Sequence, residues 1–160
     1  MNGPGKTLLI VFGLVVALLG VWLLTSGDDD SGAPVSGPSW GERANAFCRD
    51  GTEEATTLTP PGTARQVAAD ADARIEILAR VRDGIYTLGV PEGGDQALVA
   101  AYLEQLDADL GKLDAIAEAA RDGGDYQSAA AELDESAGET AAALALSDCE
   151  ALAQAVVRTP

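Results

Sequence analysis

"VAAYLEQLDADLGKLDAIAEAA", residues 99–120, decides the fold. Val99, Leu103, Leu106, Leu110, Leu113, Ala117 and Ala120 follow one another at steps of four and three, which puts one apolar seam along a helix. That spacing suits packing against antiparallel neighbours. Asp95 precedes the run as a helix cap, and Gly123-Gly124 ends it. The reading is a long core helix, and the rest of the chain is read outward from it.

Upstream, Thr63-Ala64-Arg65-Gln66 has the Thr-x-x-Gln form of a capping box and opens a second helix. Val67, Ala71, Ile75, Leu78, Val81, Ile85 and Leu88 form its inner side, Gly84 is a point where it could bend, and Gly89 and Pro91 stop it. Further upstream, Trp40, Ala44, Phe47, Gly51, Ala55 and Leu58 make a stripe after a Ser39 cap, with Cys48 beside it. The "TPPG" of residues 59–62 ends that helix, because proline lacks the N–H that would continue it.

Downstream, Asp125 caps a fourth helix whose inner face is Tyr126, Ala130, Leu133, Ala137, Ala141 and Leu144. Ser147-Asp148-Cys149-Glu150 is a further capping box and opens a short fifth helix carrying Leu152, Val156 and Val157. No segment alternates as a strand does. The expected fold is all-α: an antiparallel four-helix bundle over residues 39–160 with a short fifth C-terminal helix.

The two cysteines, Cys48 and Cys149, stand near the two ends of this domain. Short connections return the fourth helix toward the start of the first, which brings the two thiols within reach. One disulfide between them is expected, and a loop of about 100 residues closed this way stabilises by up to roughly 4.7 kcal/mol in the chain-entropy model. A catalytic or metal-binding thiol pair would lack a histidine partner, since the chain has no histidine.

The compartment is read from the N-terminus. Residues 7–25, "TLLIVFGLVVALLGVWLLT", carry no charge over roughly 28 Å of helix, close to the thickness of a bilayer's hydrocarbon core. Lys6 precedes this run, and Asp28, Asp29 and Asp30 follow it. The positive-inside rule therefore puts residues 1–6 in the cytoplasm, a transmembrane signal-anchor at 7–26 and everything later outside, with Trp22 at the outer interface. A cleaved signal peptide that releases a secreted form is the competing reading, but its apolar region is shorter and ends in an Ala-x-Ala-like site. Gly5-Lys6-Thr7 resembles the tail of a phosphate loop, yet the glycine such a loop needs five positions earlier has no place in the sequence. Residues 27–38, rich in Gly, Ser, Asp and Pro, read as a flexible linker.

Charge narrows the partners. The net charge is −16. Setting aside Lys6 and the three aspartates after the anchor leaves 9 basic and 23 acidic residues, a surface that repels phosphate backbones and excludes nucleic acid as an expected partner.

Three short stretches resemble a group of small exported or membrane-tethered helical proteins of high-GC Gram-positive bacteria. They are "AFCRDG" (46–51), "IEILARVRDGIYTLGVPEG" (75–93) and the late Leu-x-Leu-x-x-Cys "LALSDC" (144–149). The resemblance covers roughly Trp40 to Cys149, and this chain departs from it by continuing past the second cysteine. It implies a helical bundle with a disulfide and carries no assigned activity or catalytic residue.

Chemistry is sparse. Without histidine, the usual proton shuttle and the Glu-x-x-His pairs of bundle di-iron sites are missing. Lys112, the domain's one lysine, reads as a solvated surface residue. Asp114, Glu118 and Asp122, and Glu132, Glu135 and Glu139, stack carboxylates on helix faces without the looped spacing of a calcium site, so solvated faces are the expectation. Arg74, Arg80 and Arg82 form the one basic cluster and are expected to pair within their helix with Asp72, Glu76 and Asp83. No catalytic residue, metal ligand or cofactor is assigned. The expected role is a non-enzymatic, membrane-anchored extracytoplasmic module that binds another envelope protein or organises its surroundings in the envelope. The alternatives are a carrier or sensor of a small apolar ligand held between the helices, a cation binder and an enzyme.

Overall fold

Capping and apolar period together place the helix starts. The computed structural model describes residues 38–133 and 136–157, and among them there are six helices and no strand. They are α1 (Trp40–Thr57), α2 (Ala64–Leu88), α3 (Gln96–Arg121), α4 (Tyr126–Ala130), α5 (Ser136–Ala143) and α6 (Ser147–Val157). The expected tail at 1–6, the span at 7–26 and nearly all of the linker, with Lys6, Trp22, Asp28, Asp29 and Asp30, lie outside the described residues. Among the described residues no helix is long and apolar enough to cross a membrane.

Four of the expected caps are present, among them Asp125, whose side chain accepts from the Ser128 N–H at 3.0 Å. Ser39 Oγ accepts from the Glu42 N–H at 3.2 Å and Glu42 Oε2 accepts from the Ser39 N–H at 2.6 Å, a complete capping box. Thr63 Oγ1 accepts from the Gln66 N–H, while the Gln66 side chain reaches past it to the Gly62 N–H at 3.0 Å. Asp95 takes the N–H groups of Ala97 and Leu98. The box expected at Ser147 differs: Ser147 is already helical, and the Leu146 carbonyl accepts from Cys149 and Glu150. The Asp148 N–H is taken by Asn45 Oδ1 at 3.0 Å, from the opposite end of the sequence.

The seam of α3 is rotated from the expected one. Val99, Tyr102, Leu106, Asp109, Leu113, Ile116 and Ala120 are the buried set, again at alternating steps of three and four, with Ala117 buried beside them. Leu103 and Leu110 are half-buried on its flank. Both sets share Val99, Leu106, Leu113 and Ala120, so the period could not choose between them. The helix turns inward the side that carries Tyr102 and Ile116, which are larger than Leu103 and Ala117, and keeps Ala117 inside as well.

The expected fourth helix is broken. α4 ends at Ala130, and Glu132 and Leu133 donate to Ala129 and Ala130, the tight three-residue pattern of a terminating turn. α5 begins at Ser136. Leu133, Ala137 and Ala141 are still buried as expected, with Tyr126, Ala130 and Leu144 half-buried, so the inner face survives the break.

The helices close a ring in the order α1, α2, α3, α5, α6, with α4 against α3. Each short connection reverses direction. α1 and α2 are antiparallel: Trp40 Nε1 donates to the Gly89 carbonyl at 2.8 Å at one end, and Glu54 pairs with Arg80 farther along. Arg82–Asp107 and Asp72–Arg121 show the same for α2 and α3. Five rods are an odd number, so the last runs parallel to the first: Asn45 meets Asp148, Cys48 meets Cys149, and Gly51 lies against Leu152. The four-helix ring is therefore corrected to one in which α6 takes the closing position.

The Cys48–Cys149 disulfide joins that parallel pair, with Cα atoms 4.8 Å apart and 101 positions between them in sequence. Both cysteines are fully buried in the core with Leu106, Leu113, Ile116 and Leu152. Two glycines let α1 lie close to α2. A Cβ on Gly51 would meet Val81 at 2.8 Å, and one on Gly84 would meet the Phe47 ring at 2.7 Å.

Candidate functional site

The buried charges settle the roles of several polar residues. Arg74 is 6% exposed and donates Nε to Asp70 Oδ2 at 2.7 Å and Nη1 to the Ala155 carbonyl at 2.6 Å, binding α2 to the last helix. Asp109, 5% exposed, lies 3.5 Å from the Lys112 ammonium and 3.5 Å from Gln105 Nε2. Lys112 is thus no solvated surface residue: its side chain is 23% exposed and faces a buried carboxylate. The Tyr102 hydroxyl sits 3.8 Å from Cys48 Sγ, and burial, with the Asp109 charge nearby, pushes its phenol well up. These groups are satisfied within the core; among the described residues no buried side-chain polar atom lacks a partner.

The arginine cluster is also rearranged. Of the expected intrahelical partners only Asp83 is used, by Arg82 at 3.0 Å. Arg82 also grips Asp107 of α3 with two bonds of 3.0 and 3.1 Å and lies 5.5 Å from the Tyr86 ring centroid. Arg80 reaches Glu54 of α1, and Arg121 of α3 takes Asp72. Helix periodicity gives neighbours within one helix, and these pairs required the packing of two. Asp114, Glu118 and Asp122 are exposed, with Arg121 beside the first two. Glu132 and Glu139 are exposed, and Glu135 lies outside the described residues. Among the described residues no three carboxylate or cysteine side chains gather as metal ligands.

One opening lies on the surface between α1 and α2. There a groove of about 220 Å³ has Gly51, Ile77 and Val81 as its floor, Phe47 as a wall, and Asp50, Glu54 and Arg80 at its mouth. The floor is apolar because Gly51 has no side chain and the buried Ile77 and Val81 pack directly against it. Phe47 is 36% exposed although its ring rests on Gly84. Glu54 and Arg80 neutralise each other, while Asp50 carries its charge at the mouth. Below the usual ligand-pocket range of roughly 300 Å³ and up, the groove has the dimensions of one large side chain.

The sequence reading missed this groove because it set Phe47 on the inner stripe of α1 and Cys48 beside it. The disulfide reverses that order: Cys48 is fully buried and Phe47 is turned to the margin. The signal present in the sequence was the glycine pair Gly51 and Gly84, which fall opposite each other only in the antiparallel register.

Two further surface depressions lie elsewhere on the bundle. One of about 200 Å³ lies between α5 and α6 over Gly138, Ala142 and Ala153, with Glu139 and Glu150 at its edge. The other, of about 250 Å³, borders the α1–α2 loop. Inside the core, the void under Tyr102 and Leu152 amounts to about 10 Å³.

The geometry defines an all-helical, disulfide-closed bundle with an apolar groove at the α1–α2 seam. No protein-family model, curated protein or solved structure matches the chain.

Proposed function

We propose that this chain is a single-pass, membrane-anchored extracytoplasmic bundle, without enzymatic activity, that binds another protein of the envelope. It docks a partner's side chain in the groove walled by Phe47. The observation that carries this reading is the groove itself: a part-exposed phenylalanine beside a glycine-floored apolar slot with a carboxylate at its mouth. Buried aromatic anchors in side-chain-sized pockets supply much of the affinity of protein interfaces. The anchor rests on the uncharged run of residues 7–25 and on the charges that flank it.

The same geometry favours an interaction module over a carrier. A small apolar ligand held between the helices needs a connected cavity, and a core void of about 10 Å³ has room for one water at most. The reading assigns no catalytic residue, metal or cofactor.

The test is crosslinking in native membranes with a photoreactive residue at position 50, beside the groove, in chains carrying Phe47 or Phe47→Ala. A specific envelope protein captured reproducibly by the first and lost with the second is the expected result. Equal capture by both chains, or none by either, overturns the groove as the docking site. Protease added outside spheroplasts checks the topology separately, and a domain protected from it overturns the extracytoplasmic placement.

A further inference from the structure

The hydroxyl groups of the described domain are almost all engaged. Thr52, Thr56, Thr57 and Thr87 donate to carbonyls three or four residues back in their helices. Ser39 and Thr63 cap α1 and α2, Ser128 donates to Asp125 at 2.6 Å, and Thr140 has a partner. Among the described residues whose side chains are placed, the serine and threonine hydroxyls that make no hydrogen bond are those of Thr59 and Ser147. Ser147 lies in the first turn of α6.

Ser39 and Thr63 also lie outside the helices but use their hydroxyls in caps, so among these residues Thr59 combines a non-helical backbone with an unengaged hydroxyl. It is exposed and lies in the non-helical segment between α1 and α2, after Leu58 in extended conformation (φ −65°, ψ 134°) and before Pro60 and Pro61. A residue that precedes proline is held out of the helical region, so this stretch presents its acceptor extended. An enzyme that modifies a side chain must bind the acceptor's backbone in an open form, which the hydroxyls inside helices cannot offer. The hydroxyl also borders the depression of about 250 Å³ over Gln66, Ala69 and Ala73, which leaves space beside it for a ring. Residues 56–63 hold four threonines with two prolines, and segments rich in serine or threonine with proline are of the O-glycosylated type.

We propose that Thr59 is an O-glycosylation site. This rests on the extracytoplasmic reading, because that compartment lacks ATP and so disfavours phosphorylation of the same hydroxyl. In the transfer, the Thr59 Oγ1–H bond breaks and Oγ1 bonds to the anomeric carbon of a sugar carried on a lipid phosphate. The lipid phosphate leaves with the electron pair of the broken anomeric C–O bond, and the threonine proton passes to a base of the transferase.

The experiment isolates the full chain from the membranes of its own host and digests it with trypsin, which releases residues 50–65 between Arg49 and Arg65. Fragmentation by electron transfer then locates any added mass. A hexose-type mass on Thr59, absent from Thr59→Ala and kept in Thr57→Ala, is the expected result. An unmodified peptide, or a sugar on another threonine, overturns the proposal. A phosphoryl mass on Thr59 also overturns it. Protease treatment of spheroplasts from the same culture separates the two layers: an accessible domain with unmodified Thr59 defeats the site alone, and a protected domain defeats the compartment reading beneath it.

Discussion

Helix α3 and the segment from Tyr126 to Leu146 begin alike and end differently. Both follow an aspartate cap and a glycine turn, and both carry alanine and leucine at helical spacing. α3 runs unbroken for 26 residues, whereas the later segment yields a five-residue and an eight-residue helix. The difference lies in what each buries. α3 inserts Tyr102, Leu106, Leu113 and Ile116 against its neighbours, and this packing holds every turn. Among the described residues, the later segment buries Leu133 at the break and then Ala137 and Ala141 before Leu146. Helical stability in proteins comes mostly from packing of the apolar face, and alanine provides little of it.

Their C-termini show the same contrast. After α3, Gly123 is left-handed at φ 69° and the Gly124 N–H reaches the Ala119 carbonyl at 2.8 Å. After α5, the Leu146 N–H reaches the Ala141 carbonyl at 2.9 Å and the Ala145 N–H reaches Ala142 at 2.9 Å. Both are Schellman ends. In the second, the left-handed position is filled by Ala145 at φ 57°, a conformation that costs an alanine about 1 kcal/mol. Leu146, fully buried one residue later, holds the turn against that cost.

The disulfide should divide the two regions most sharply. A Cys48→Ala/Cys149→Ala double variant is expected to lose about 2–4 kcal/mol of stability in denaturant unfolding. Hydrogen exchange should show protection falling over residues 136–157 before it falls over 99–120, since α6 and the α5 packed on it depend on the bond. Uniform loss across both regions would break the contrast.

Truncation compares the two cores directly. Leu113→Ala removes a fully buried side chain from the α3 seam and is expected to cost about 3 kcal/mol, while Leu133→Ala, at the break, should cost less than half of that. Similar losses in thermal or chemical unfolding would mean the break is packed as tightly as the seam.

The helix ends offer a smaller and opposite pair. Ala145→Gly is expected to stabilise by about 1 kcal/mol by relieving the left-handed alanine, and Gly123→Ala to destabilise by about as much. Changes of the same sign would show that the two turns are not equivalent.

The smallest effect is in the pH dependence of the caps. Hydrogen bonds from the Ser128 side chain and backbone hold the Asp125 carboxyl below its ordinary value, and those from Ser39 do the same for Glu42. A carboxyl lowered by folding contributes stability above its unfolded pKa, and the contribution disappears as pH falls through the folded value. On acidification by NMR, α4 should therefore fray before α1, which has buried residues beyond its cap to hold it; α4 has none.

Much of this architecture was legible from local chemistry. Caps at Ser39, Thr63, Asp95 and Asp125 are short-range hydrogen bonds, so residue type and spacing suffice to find them. The pairing of Cys48 with Cys149 needed only that short connections return the chain to its start. Periodicity gave the α3 seam to within one helical face but could not rank Tyr102 and Asp109 over Leu103 and Leu110, or add Ile116 beside Ala117, because both sets keep the same period. Three things depended on which helices touch: the burial of Asp109 beside Lys112, the arginine pairs between helices, and the groove at Phe47. By itself, then, the sequence determined the helical class, the starts of α1 to α4 and the cross-link. Only the tertiary structure decided that α6 closes the ring in parallel with α1 and turns Phe47 outward, since those follow from distant residues competing for one core.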